Sequence, residues 1–132
     1  MKIQFLGCQS KPQDPATLPS SWILEGEPKP MVTELSKEGS ISTGFWSCDK
    51  GRFNYHYDVD EVIHILEGDV IVRDLADKMR TYHHLTAGDS IHFPKGSSAE
   101  WNVRHYVRKL WVINESRTGF ERFANMIGVS WA

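Results

Sequence analysis

The chain has 132 residues, of which 40% are hydrophobic and 24% charged, a composition typical of one globular domain with a single core. Its formal net charge of -2 provides no basic excess for a phosphate backbone, so nucleic acid is not an expected partner. No apolar run is long enough to span a membrane, and the two cysteines form neither a disulfide framework nor a zinc pattern, so we expect a cytoplasmic protein with reduced thiols.

The N-terminal segment is dominated by proline. Residues 1–30 hold five of the six prolines, so they can form neither a long helix nor a central strand. We predict that residues 1–30 are an extended arm that lies on the rest of the domain and is anchored by Trp22, Ile23 and Leu24. An arm of this kind can also cross to a second subunit.

After the arm, short segments rich in β-branched and aromatic residues alternate with turn signals. The predicted strands are Met31–Leu35, Ile41–Cys48, Arg52–Tyr57, Glu61–Leu66, Val70–Asp74, Arg80–Leu85, Ser90–Phe93, Glu100–Val103 and Tyr106–Ile113. We expect tight turns at Asp49–Gly51 and Glu67–Asp69. Short strands at this spacing predict an all-β sandwich or barrel over residues 31–116. In the tail, residues 117–132, apolar spacing predicts one short helix within Gly119–Ile127.

Two glycine-bounded patterns lie within the predicted strands. In the first, Glu61 is followed seven residues later by Gly68. In the second, Gly88 is followed after five residues by the sequence Pro94-Lys95-Gly96. Trp101 and the segment Val107–Lys109 follow them. Together these residues resemble the cupin superfamily, and more narrowly the small cupins related to (S)-ureidoglycine aminohydrolase and ethanolamine-utilisation protein Q. The resemblance covers residues 40–113 and implies a double-stranded β-helix, or jelly-roll barrel, and a homodimer.

The resemblance also implies where a metal site would be. Metal-bearing cupins present two histidines and a glutamate from the first pattern and one histidine from the second. One register places Asn54 and His56 at the two histidine positions, and the other places Tyr55 and Tyr57 there. The histidine position of the second pattern falls on Ala99. Neither register supplies three histidines.

Strand alternation distinguishes the two registers. Tyr55 and Tyr57 share one face of the strand, and Asn54 and His56 share the other. Because an aromatic face belongs towards the barrel interior, we predict that both tyrosines point inward beside Glu61. Phenols, with an ordinary pKa of roughly 10, bind divalent metals poorly at neutral pH, so we expect no metal and no cofactor. If Mn, Fe, Ni or Zn does bind, the predicted ligands are His56 and Glu61.

The predicted ligand pocket lies in the barrel interior. Its ligand-binding residues are Tyr55, Tyr57, Glu61 and Trp101, which offer hydrogen bonds and stacking. In a catalytic version, Glu61 is the general base and Tyr57 the acid. Each residue also has a structural interpretation, as a hydrogen-bonded carboxylate, a core tyrosine or a packing tryptophan. Arg108–Lys109 is a candidate for holding an anionic substrate, but we interpret the pair as a solvated face of the last strand.

Three classes of function are compatible with these residues. The first, which we predict, is a cupin that binds a small molecule without a tightly held metal. The second is an enzyme acting on a small polar metabolite, either a metal-free isomerase, epimerase or lyase, or a metal-dependent hydrolase as the aminohydrolase resemblance implies. The third is a non-catalytic domain that serves assembly or regulation.

Overall fold

The computed structural model describes residues 3–6 and 12–115. Eight strands account for its regular structure, with one short 3-10 turn at Ser20–Trp22. In chain order they are β1 Asp14–Pro15, β2 Ile23–Gly26, β3 Met31–Glu38, β4 Ile41–His56, β5 Asp60–Asp74, β6 Tyr82–Thr86, β7 Ser90–Phe93 and β8 Ser98–Asn114. The all-β prediction is therefore confirmed. The predicted helix within Gly119–Ile127 lies outside the described residues.

The strands form one antiparallel sheet in the order β1-β3-β4-β8-β5-β6, with β2 paired to β4 and β7 paired to β5. The long strand β8 lies between β4 and β5 and pairs with both along most of its length. Side chains from these three strands therefore meet at the centre of the barrel. Among the described residues, no helix is both long and apolar enough to cross a membrane.

The predicted turns at Asp49–Gly51 and Glu67–Asp69 are wrong, because the chain continues through both as strand. The pairing of β4 with β8 shifts register between Asp49 and Gly51, and the pairing of β5 with β8 shifts on either side of Gly68. Such bulges bend a strand without ending it. Gly68 has φ 76°, and a Cβ there would meet the Tyr106 carbonyl oxygen at 2.0 Å. The glycine is thus required by a bend and a close backbone approach.

The structure also joins the last two predicted strands, Glu100–Val103 and Tyr106–Ile113, into one continuous strand, β8. Its buried residues alternate on the side of the aromatic core. The rings of Phe53 and Trp101 stack with their centroids 6.1 Å apart, and Trp46 and Phe93 pack against Trp101. Aromatic packing of this kind fills the barrel interior and forms the walls of the site.

Parts of the N-terminal arm join the sheet of their own chain. β1 pairs with β3, and β2 pairs with β4 through Ile23 and Phe53. Between them, the Trp22 ring packs edge-on against Tyr55 at 5.1 Å and His56 at 5.0 Å. The arm is therefore held beside the end of β4, at one opening of the barrel.

Candidate functional site

A buried ion pair lies at the centre of the candidate site. Glu61, on β5, and Lys109, on β8, both point into the barrel, and each side chain is 6% exposed. The Lys109 Nζ donates a hydrogen bond to Glu61 Oε2 across 3.0 Å. Because charges removed from water are costly, each group depends on the other for stabilisation.

Two indole rings flank the ammonium group. Lys109 Nζ lies 4.7 Å from the ring centre of Trp46 and 4.7 Å from that of Trp101. The negative faces of these rings attract the cation, and the attraction strengthens where water is excluded. The site therefore holds one positive charge between a carboxylate and two aromatic walls.

Tyr57 borders the pair on the side of the second glycine pattern. Its hydroxyl accepts a hydrogen bond of 3.0 Å from Trp101 Nε1, and its ring stacks on Phe93 at 4.3 Å. Its carbonyl accepts a hydrogen bond from the Gly96 amide, which ties the end of β4 to the second pattern. Burial, and then the nearby Glu61 carboxylate, raise the pKa of Tyr57 well above its ordinary value.

Tyr55 is half-buried next to Tyr57, with ring centroids 4.7 Å apart. Burial, and secondarily the charges of Glu61 and Asp58, raise the pKa of Tyr55 to about 12. Both phenols therefore stay neutral at physiological pH. Each has an O–H group that can donate a hydrogen bond to a ligand oxygen.

A cleft of about 530 Å³ opens above the tyrosines. Its lining residues come from the arm and the end of β4, and they are Thr17, Pro19, Trp22, Tyr55, His56, Tyr57 and Asp58. Tyr57, which is 4% exposed, also contacts the core, so it lies between this cleft and the buried pair. Neither Glu61 nor Lys109 lines the cleft, so the Tyr57 side chain separates the cleft from the buried pair.

The residues present do not fit the cupin metal pattern. His56 is exposed, and its Nδ1 shares a hydrogen bond of 2.6 Å with Ser98 Oγ. Ala99, at the histidine position of the second pattern, has no donor atom, and Glu61 is engaged by Lys109. Within residues 3–6 and 12–115, no three His, Cys, Asp or Glu side chains are grouped so that they could hold a metal ion.

Asn54 lies on the same outward face of β4 as His56. Its Oδ1 atom is buried and finds no hydrogen-bond partner within the described part of the chain. Among the described residues, neither Asn54 nor His56 shares a hydrogen bond with Glu61 or Lys109, and a metal held by His56 and Glu61 stays a prediction.

The interpretation of Arg108–Lys109 as a solvated face is wrong, because Arg108 is 8% exposed and Lys109 is 5% exposed. The sequence contained a signal for Lys109, which alternates in phase with Trp101, Val107 and Trp111 on β8. A lysine within such an apolar series faces inward only if a partner neutralises it. Here Glu61 is that partner.

Trp101 is 1% exposed and packs within the aromatic core. It contacts the site through its N–H bond to Tyr57 and through its face, which lies against the Lys109 ammonium. Direct stacking of Trp101 on a ligand stays a prediction. The position of Trp101 makes it a wall of the site and a support for Tyr57.

Comparison with known proteins identifies the fold family. Residues 35–111 match the EutQ-like cupin domain. The chain is 35% identical over 82 residues to the acetate kinase EutQ of Salmonella typhimurium, a match that covers 62% of this chain and 34% of that protein. The chain thus spans about a third of the length of the curated relative that it matches.

Solved structures agree with this match. A crystal structure of ethanolamine utilization protein Q from Salmonella typhimurium has 30% identity and a TM-score of 0.58, covering 67% of this chain and 72% of that chain. The EutQ protein of Clostridium difficile has 17% identity and a TM-score of 0.59, covering 75% of this chain and 80% of that chain. At this lower identity the likeness concerns the fold alone, and it confirms the cupin prediction.

Proposed function

The chain belongs to the family of EutQ-like cupin domains, and we propose that it binds a small polar molecule at the Glu61–Lys109 pair inside the barrel. The observation that supports this most is the pair itself, a carboxylate and an ammonium 3.0 Å apart with side chains only 6% exposed. Replacing such a pair with apolar residues is often neutral or stabilising, so stability alone does not account for it. Clustered buried ionisable groups beside a cleft favour a functional site.

The donors at the site define the class of ligand. Lys109 and the two neutral phenols of Tyr55 and Tyr57 offer N–H and O–H donors, and Glu61 offers an acceptor. The surrounding aromatic walls suit a compact molecule with a flat or apolar part. The ligand we propose has carbonyl or carboxylate oxygens facing the donors and a hydroxyl or amine facing Glu61.

A thermal-shift screen tests this proposal. The panel holds small keto acids, hydroxy acids, sugars and amides, together with acetate and ATP because the Salmonella relative is named an acetate kinase. We expect a hit to raise the melting temperature of the wild-type protein and to have no effect on a Glu61→Leu/Lys109→Met double variant. That variant removes both charges together and leaves neither one unpaired.

The matched control is Glu67→Gln/Arg108→Met, which removes the neighbouring ion pair on the outer face of the same strands. The proposal predicts that this control binds the hit as the wild type does. If a compound raises the melting temperatures of the inner double variant and the wild type equally, it binds elsewhere and the proposal is refuted.

An enzyme is the second candidate, favoured by the closeness of a carboxylate and neutral phenols. Burial, and then the negative charge of Glu61, raise the pKa of both Tyr55 and Tyr57, so the phenols stay protonated and Glu61 can act as the only base among the three. In that case Glu61 is the base and Tyr57 the acid of an isomerase, epimerase or lyase. In deuterated water, the wild type would then exchange a hydrogen of the bound ligand for deuterium. Loss of this exchange in Tyr57→Phe would support the enzyme candidate.

The assembly proposed for the protein is a homodimer. This proposal rests on the resemblance to small cupins, which usually pair, and not on the arm, because β1 and β2 pair with strands of their own chain. Light scattering is expected to give twice the chain mass of 15.1 kDa, and a clean monomer would refute the dimer.

A further inference from the structure

Lys109 has surroundings that exposed lysines lack. In the described part of the chain, the other lysines are exposed, whereas Lys109 is 5% exposed and enclosed by Trp46 and Trp101. Its Nζ lies 3.0 Å from a carboxylate oxygen that can accept and return a proton. The Tyr57 hydroxyl lies behind one of these rings, because it accepts the hydrogen bond of Trp101 Nε1. An amine and a proton acceptor therefore meet in one desolvated space, with a phenol next to its aromatic wall.

We propose that Lys109 forms an imine with the carbonyl carbon of a small aldehyde or ketone, and that Glu61 moves the protons. This inference rests on the proposed function and narrows its ligand class to carbonyl compounds. It requires the ligand carbonyl to approach Lys109 from the cleft, with its oxygen accepting a hydrogen bond from the neutral phenols. Lysine is the side chain that forms such imines in proteins.

The reaction is balanced by the groups present. Glu61 takes one proton from the ammonium of Lys109, and the free amine attacks the carbonyl carbon to form a carbinolamine. The protonated Glu61 then returns its proton to the departing hydroxyl, which leaves as water. A protonated imine remains beside the Glu61 carboxylate, so the overall charge is unchanged and no oxidant or reductant is needed.

Cys48 is the other nucleophile near Lys109, and it does not compete at neutral pH. Burial, with a smaller effect of Asp49, raises the pKa of the Cys48 thiol to about 12. The thiol therefore stays protonated, and only the thiolate is a strong nucleophile. The aromatic walls also limit water at the carbon–nitrogen bond, which slows hydrolysis of an imine once it forms.

Borohydride trapping tests the proposal. The full-length protein is incubated separately with pyruvate, glyceraldehyde and glyoxylate in the presence of cyanoborohydride, digested and analysed by mass spectrometry. We expect the reduced adduct at Lys109 to exceed that at exposed Lys50 by more than about tenfold, because the site holds amine and acid–base group together. Lys109→Arg keeps the positive charge and should abolish the adduct at that position.

The variants separate the chemistry from the binding. Glu61→Gln should slow adduct formation by about 100-fold, the usual scale for losing a general acid–base group, whereas Glu67→Gln should leave it unchanged. A probe that binds at the inner pair raises the melting temperature of the wild type but not of the inner double variant. If that probe gives no more adduct at Lys109 than at Lys50, the imine is refuted and the binding site is not. Probes that give neither a shift nor an adduct count against both proposals. An unchanged rate in Glu61→Gln refutes the proton role of Glu61.

Discussion

Two ion pairs connect the same two strands and differ mainly in their surroundings. Lys109 and Glu61 meet at 3.0 Å inside the barrel, where each side chain is 6% exposed. Arg108 and Glu67 meet at 3.1 Å on the other face, where the arginine side chain is 10% exposed and the glutamate side chain is 48% exposed. The distances are nearly equal, so solvent access, and not geometry, determines what each pair costs and contributes. The inner pair is the one that needs a functional explanation.

The largest expected effect is on stability when one carboxylate is neutralised. Glu61→Gln leaves the Lys109 ammonium buried without its partner, so it should lower the free energy of unfolding by about 3–5 kcal/mol. Glu67→Gln breaks a pair whose carboxylate is half exposed and whose guanidinium is largely buried, so it should cost about 1–3 kcal/mol, less than Glu61→Gln. Urea unfolding of both variants measures the difference. Equal losses would contradict the distinction between the two pairs.

The inner double variant sharpens this contrast. Glu61→Leu/Lys109→Met removes both charges and substitutes side chains of similar volume, so it should recover most of the stability lost in Glu61→Gln. We expect its free energy of unfolding to lie within about 1–2 kcal/mol of the wild type, or above it. A double variant that is no more stable than Glu61→Gln would mean that the pair is primarily structural.

A third prediction concerns the hydroxyl groups beside the inner pair. Tyr57→Phe removes the acceptor of the buried Trp101 N–H, so it should cost about 1–3 kcal/mol in urea unfolding. Tyr55→Phe, at a half-buried position nearer the cleft, is the matched control and should cost less than about 1 kcal/mol. If both substitutions had the same effect, the Tyr57–Trp101 bond would not support the site as described.

The smallest predicted effect, over the interval from pH 9 to 10, is a pH dependence of stability at Cys48. The pKa of Cys48 is raised by burial from 9.0 to about 12, so the unfolded chain loses this proton at a lower pH than the folded protein. Its contribution to stability is complete below pH 9 and is lost as the pH rises towards 12. The slope is at most about 1.4 kcal/mol per pH unit for one proton.

Cys48→Ala should flatten that dependence. Tyr55, whose pKa is raised from 10.0 to about 12, remains in the variant, so the comparison is cleanest between pH 9 and 10. Urea unfolding across this range gives the slope for both proteins. An identical slope in the wild type and Cys48→Ala would show that the thiol does not titrate as its burial requires.

Local patterns were sufficient for much of this molecule. Period-two alternation predicts the strands, and the glycine spacing supports the resemblance to cupins that the family match confirms. The same alternation predicts Tyr55 and Tyr57 on one face of β4, and their rings lie with centroids 4.7 Å apart. Both features depend only on residues that are close together in the sequence.

The errors have a common cause in long-range contacts. Lys109 and Glu61 are 48 positions apart, and nothing close to either residue specifies the other as its partner. Local sequence therefore favours an exposed Arg108–Lys109 pair, although Lys109 alternates in phase with buried Trp101 and Trp111. Similarly, Gly68 was interpreted as a turn, because a glycine required by a close backbone approach resembles one required by a tight turn.

The most direct test of the central claim is the affinity of a small polar ligand, measured by calorimetry, in three forms of the protein. These are the wild type, Glu67→Gln/Arg108→Met and Glu61→Leu/Lys109→Met. If the inner pair is the binding centre, the first two bind equally and the third, although folded, does not bind. Retained affinity in the inner double variant would contradict the account.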